Sequence, residues 1–245
     1  MVRRRQTIPE SRWPETQDFV ELAVGWRSDA IKVLWNYVWQ GWDSYCLENL
    51  SKVDLSEADE QLERMITQDL ELDIRRVMSG DEPFTIQHER FEGELRNPSP
   101  ARPKQCDLSF VWFANRRITY PLEAKVLRSD SNDGVKAYVE EISENFLKFR
   151  YAPFSSEAGM LGYLLEGSST IAFNNIAIAV PCTLSEHPDF LGREHRVSDH
   201  KRSVLADNRY PVKFRCHHLL LQLIKESNVQ KAIAKRKSSK KTLES

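Results

Sequence analysis

In the N-terminal part of the chain, apolar residues recur at spacings of three and four. Ile31, Leu34, Trp35, Val38, Trp39 and Trp42 fall on one stripe and predict a helix from Ser28 to about residue 50. Leu62, Met65, Ile66, Leu70, Ile74 and Val77 repeat the pattern. They predict a second helix with Ser56 as its N-cap, ending at Ser79-Gly80, where glycine supplies a left-handed cap. Three strand-like stretches follow, over residues 84–91, 106–113 and 117–127. The first two are separated by a loop that holds Pro98, Pro100 and Pro103. A third helix is predicted over 133–149, with Val135, Tyr138, Val139, Ile142, Phe146 and Phe149 on one side. After it come a buried strand over 160–165, an apolar segment 171–180 that fits helix or strand and is taken as helix, a polar stretch 183–210, a strand over 212–221 and a terminal helix over 221–233.

Strands in a run, followed by helix–strand alternation, predict an α/β fold: a mixed sheet flanked by helices, with an extra N-terminal helix. The chain divides into an arm and tryptophan-rich helix (1–55), a main domain (56–226) and a basic tail (227–245). The tail carries Lys231, Lys235, Arg236, Lys237, Lys240 and Lys241 with no acid before Glu244. It reads as a disordered, solvated segment with modest attraction for nucleic acid.

Composition narrows the function. With 245 residues, 40% hydrophobic and 29% charged, the chain can bury a core. A net charge of -1 argues against a protein that coats nucleic acid, but it leaves room for an enzyme that grips nucleic acid in a small cleft. No apolar run approaches the ~20 residues of a membrane span, and the start MVRRRQTIPESRWPE has no apolar core of a signal peptide. The four cysteines show no C-x-x-C spacing, so a zinc ribbon is not indicated, and a reducing cytoplasm is the expected compartment.

The stretch from Cys106 to Leu127, CDLSFVWFANRRITYPLEAKVL, carries the candidate chemistry. With Ala114-Asn115-Arg116 as a three-residue hairpin loop, Phe113 faces Arg117, and counting back along both strands sets Asp107 opposite Glu123. Opposed residues share a face with Cβ atoms about 5 Å apart. Lys125 joins that face roughly 6.5 Å further along. The other face holds Leu108, Phe110, Trp112, Ile118, Tyr120, Leu122, Ala124 and Val126, a surface fit for a core. A one-residue slip would bury the charges, which specifies the register; Pro121, lacking an N–H, is the one position that could shift it. Two such carboxylates can hold a hard divalent cation, and a nearby amine can position water or stabilise charge on a phosphate.

This D…E-x-K pattern on consecutive strands resembles the PD-(D/E)XK superfamily of restriction-endonuclease-like nucleases. The family core of helix, three strands, helix and strand has the element order predicted over residues 56–166. Cys106 stands where the family name has proline. The resemblance implies Mg²⁺ or Mn²⁺ as cofactor, DNA as substrate with RNA not excluded, Asp107 and Glu123 as metal ligands, and Lys125 as the catalytic lysine. The backbone carbonyl of Ala124 is a further candidate ligand. An acid on the preceding helix is also implied; Glu63 is the choice, with Glu60 and Glu71 as substitutes. Residues 138–167 also look like nucleases of bacterial anti-phage systems, such as the Hachiman-type subunit that works beside a helicase. That likeness implies an effector partnered by an ATPase and places Lys148, Arg150 and Tyr151 near the cleft. The alternative is a non-catalytic subunit of the same fold that binds DNA and docks the ATPase.

The remaining features have two readings each. The stripe of Trp35, Trp39 and Trp42 is either core or a face that docks the partner. His187, His195 and His200, near Cys182, are too loosely spaced to predict a zinc site. Of His217 and His218, strand alternation sends one to the core and the other to the cleft or solvent.

Overall fold

The computed structural model describes residues 28–91, 104–113, 116, 118–128, 132–151, 153–203 and 210–223. The arm, the basic tail and most of the expected terminal helix lie outside them. Two helices come first, α1 (Ser28–Glu48) and α2 (Asp59–Val77). Strands β1 (Phe84–Phe91), β2 (Gln105–Trp112) and β3 (Thr119–Arg128) follow. Next are α3 (Asn132–Glu140), which runs into a wide π-type turn over Glu141–Phe146, then β4 (Glu157–Glu166) and α4 (Ser169–Ala179). The chain continues through a short β5 (Ser185–Glu186), β6 (His195–Lys201) and β7 (Lys213–Gln222). The seven strands form one sheet in the order β1-β2-β3-β4-β7-β6-β5. Its centre, β3-β4-β7, is parallel, and both flanks are antiparallel. Parallel neighbours need a crossover, and α3 connects β3 to β4 in that way.

Both faces of the sheet are covered. On one, Trp35, Val38 and Trp39 of α1 and Leu62, Ile66, Leu70 and Ile74 of α2 pack on Phe110, Tyr120, Leu122, Ala124, Leu161 and Leu219. On the other, Tyr138, Ile142 and Phe146 and the α4 residues Ala172, Phe173 and Ile176 pack on Leu127, Met160, Leu164, Phe214 and Leu220. The tryptophan stripe is therefore core. Trp35 is fully buried and Trp39 and Trp42 nearly so, which leaves no tryptophan face on α1 to dock a partner. Gly159 of β4 makes this packing possible, because a side chain there would collide with the Trp35 ring and with Leu122. No helix among the described residues is long and apolar enough to cross a membrane.

Several expectations shift at element ends. Ser56 does not cap α2: its N–H and hydroxyl turn back to Asp54 Oδ1 at 3.0 and 2.7 Å, and the helix starts three residues later behind Ala58. A short local bond wins over the cap because it needs no helix to be formed first. The third helix stops being regular at Glu140. Leu147 N–H reaches back five residues to Ile142 O at 2.9 Å, Phe149 adopts a left-handed φ of 59°, and Arg150 N–H closes the end on Asn145 O at 2.8 Å. The polar stretch 183–210 contains β5 and β6, whose charged and histidine-rich composition hid a strand that pairs with β7 over its whole length. His217 and His218 are both buried, since β7 has neighbours on both edges and helices over it.

Candidate functional site

The register of β2 and β3 is the one predicted: Leu108 opposes Leu122, Ser109 opposes Pro121, Phe110 opposes Tyr120 and Val111 opposes Thr119. Pro121 causes no shift. The ladder nevertheless ends at Leu108 and Leu122, while β2 goes on to Gln105 along β1 and β3 goes on to Arg128 along β4. The two strands part like a fork one residue before Asp107 meets Glu123. Past that point the β3 amides that face β2 lack ladder partners, and unpaired buried amides are costly. Side-chain carboxylates take their place. Asp107 Oδ2 accepts from Ala124 N–H at 2.7 Å, and Glu63 Oε2 of α2 accepts from Val126 N–H at 3.3 Å.

Lys125 lies in the same fork. Its Nζ donates to Glu63 Oε1 at 2.8 Å and to Ala124 O at 2.6 Å. Glu123 is 3% exposed, closed in from the α3 side. Burial, and then the neighbouring Asp107 and Glu141 carboxylates, push its pKa well above the usual range against the pull of Lys125. Burial likewise raises the pKa of Glu63, with Lys125 opposing. For Lys125 burial works to lower the pKa, but Glu63, Asp107 and Glu123 together outweigh it, so the ammonium is held firmly protonated. Tyr151 closes the site: its hydroxyl donates to Gln105 O at 2.9 Å, and burial followed by the charges of Glu123 and Glu141 keeps the phenol protonated.

Three carboxylates, on Glu63, Asp107 and Glu123, thus act on a single ammonium, and Glu141 adds its charge on the Glu123 side. Such a group attracts a cation. Within it, Glu123 Oε1 is buried and has no hydrogen-bond partner among the described residues. An all-oxygen donor set, such as the Asp107 and Glu123 carboxylates offer, would suit a hard ion of the Mg²⁺ or Mn²⁺ kind. Glu63 and the Ala124 carbonyl, expected as further ligands, are taken by Lys125 instead. The carboxylates are also less tightly gathered than His187, His195 and His217, which bring one potential ligand atom each to within 4.8 Å of one another.

Sequence reasoning missed Glu141. Its signal is positional, since it opens the π-type turn, a distortion frequent at functional sites. The substitutes for Glu63 drop out: Glu71 pairs with Arg75, and Glu60 is exposed. Lys148 pairs with Glu144 one turn away and Arg150 is exposed, whereas Tyr151 is buried in the wall and is no surface contact for phosphate.

The raised pKa of Glu123 has a measurable sign. Its folded-state value lies above the ordinary 4.5, so the folded chain holds the proton more tightly than the unfolded one. Stability contributed by that proton is complete below about pH 4.5 and declines as pH rises through the folded-state pKa. Glu123→Gln is therefore expected to be more stable than the parent, by a margin that grows from pH 5 to pH 8. Urea midpoints at the two pH values measure it, and a margin that does not grow would remove the repulsive cluster.

No family model matches the chain, and neither a curated protein nor a solved structure is detectably similar to it.

Proposed function

We propose that this chain is a divalent-metal-dependent nuclease of the PD-(D/E)XK type that hydrolyses phosphodiester bonds of DNA. The observation that carries the reading is the fork itself: the D and E-x-K side chains meet where two strands part, with an acid from the preceding helix and one buried oxygen left without a donor. The order α2-β1-β2-β3-α3-β4, to which β7, β6 and β5 add, agrees with the helix, three strands, helix and strand expected of such a core and supports the reading.

A bound Mg²⁺ would polarise the phosphate and acidify a coordinated water. The chain's own groups do the rest. Asp107 is held in place by the Ala124 amide. Lys125, firmly protonated, is poor as a base. Its role is electrostatic: leaving the Ala124 carbonyl, it meets the charge that develops on the phosphate while Glu63 steers it. Tyr151 and the π-type turn exclude water from the Glu123 side. The role as an anti-phage effector acting with a helicase or ATPase rests on the likeness of residues 138–167 alone.

The test is incubation of the purified chain with plasmid DNA, linear DNA and RNA in Mg²⁺, Mn²⁺ or EDTA. DNA cleavage is expected with either metal and none with chelator; cleavage confined to RNA would reassign the substrate. Absence of cleavage, together with absence of any thermal shift on adding Mg²⁺ or Mn²⁺, would overturn the enzyme. It would favour a non-catalytic DNA-binding subunit, the reading that Lys125 supports by occupying Glu63 and the Ala124 carbonyl.

A further inference from the structure

The β5–β6 hairpin brings His187 and His195 against His217 of β7. Separations of eight and twenty-two residues conceal the cluster in the sequence, and the fold assembles it. His195 and His217 are each 1% exposed, while His187 is half-buried. His195 Nε2 lies 3.0 Å from His217 Nδ1. On the far side of its ring, His217 Nε2 meets Glu157 Oε2 at 2.9 Å. We propose that His187, His195 and His217 form a binding site for a transition-metal dication of the Zn²⁺ class, oriented by Glu157 and separate from the carboxylate fork.

Three features carry this. First, two nitrogens on a tetrahedral zinc with bonds of about 2.1 Å sit ~3.4 Å apart, close to the His195–His217 spacing, and the third histidine's ligand atom is within 4.8 Å. Second, the Glu157 carboxylate accepts the His217 Nε2 proton, which leaves the Nδ1 lone pair for the ion. This carboxylate–histidine–metal arrangement fixes tautomer and ring orientation in metal sites generally. Third, an all-imidazole set selects ions such as Zn²⁺ over Mg²⁺, so the two sites of this chain divide cations by ligand chemistry. Burial, first of all, keeps all three rings neutral, the form that ligates.

Without an ion, a chain of hydrogen bonds satisfies the same groups: Trp39 Nε1 donates to His195 Nδ1 at 3.3 Å, and His195 passes on to His217 and Glu157. Loading moves the His195 proton to Nδ1 and releases the Trp39 contact, which is at the long end of the hydrogen-bond range. The bound ion ties the hairpin to β7, two strands from β3.

The experiment strips the full chain with a chelator and titrates it with ZnCl₂ by calorimetry, with metal content measured by mass spectrometry. One Zn²⁺ per chain is expected, with a rise in Tm, and CoCl₂ should give the visible absorption bands of a tetrahedral nitrogen-rich site. Glu157→Gln should weaken binding about 10–100-fold, and His187→Gln by more. Asp107→Asn should retain full stoichiometry. Failure of the stripped parent chain to take up Zn²⁺ or show the cobalt bands would overturn the site and leave the hydrogen-bond chain as its explanation. Parent-like affinity in His187→Gln, or loss of the ion in Asp107→Asn, would overturn it as well. None of these outcomes depends on cleavage.

Discussion

Glu123→Gln and Lys125→Ala are each expected to cut Mg²⁺-dependent cleavage by about 10²–10³-fold or more, the loss seen when one group that stabilises transition-state charge is removed from a dry site. The two variants should fail differently. Glutamine at 123 keeps the shape of the buried side chain but cannot carry the negative charge that grips the ion, so Mg²⁺ affinity falls along with rate. Alanine at 125 removes the ammonium that Glu63, Asp107 and Glu123 share and frees the Ala124 carbonyl. The remaining carboxylates then attract a dication more strongly, so Lys125→Ala should bind Mg²⁺ more tightly than the parent while cutting far more slowly. Calorimetric Mg²⁺ titration beside a cleavage assay reads both quantities. If both variants cut at the parental rate, the fork has no catalytic part; if Lys125→Ala binds Mg²⁺ more weakly, its role is to hold the site together.

Trp35→Ala should cost about 3–5 kcal/mol, the range for removing a large aromatic from a core. The ring is fully buried, stands edge-on to Tyr120 at 5.8 Å between centroids, lies 4.8 Å from His217 and sits over Gly159. A cavity there touches α1, β3, β4 and β7 at once, so little can collapse into it. Leu47→Ala on the same helix, at a side chain 84% exposed, should change stability by no more than about 0.5 kcal/mol. Urea unfolding of both variants checks the pair. A loss below about 1 kcal/mol at Trp35 would mean that α1 rides loosely on the sheet, as a detachable docking helix would.

The stability expected of Trp35 and the cleavage expected of Lys125 come from parts of the chain that were unequally legible. Periodicity located α1, α2 and the first three strands, because each turns an apolar face to the core and that pattern is written in consecutive residues, whereas the apolar segment 171–180 fitted helix or strand and folds as α4. The β2–β3 register was legible too: eight apolar side chains on one face and three charged ones on the other leave a single alignment that buries no isolated charge.

Tertiary structure decided what depends on neighbours distant in sequence. That the strands part after Leu108 and Leu122 follows from β2 staying with β1 while β3 stays with β4, and only this exposes the amides that Asp107 and Glu63 satisfy. Glu141 enters through the π-type turn, whose one-residue offset no periodic pattern announces. The strand β6 is polar by composition and exists because β7 offers it an edge; the meeting of His187, His195 and His217 depends on that pairing. Local patterns decide which face of an element is apolar. Which charged groups then share a pocket is decided by where the chain returns, and no window of sequence contains that information.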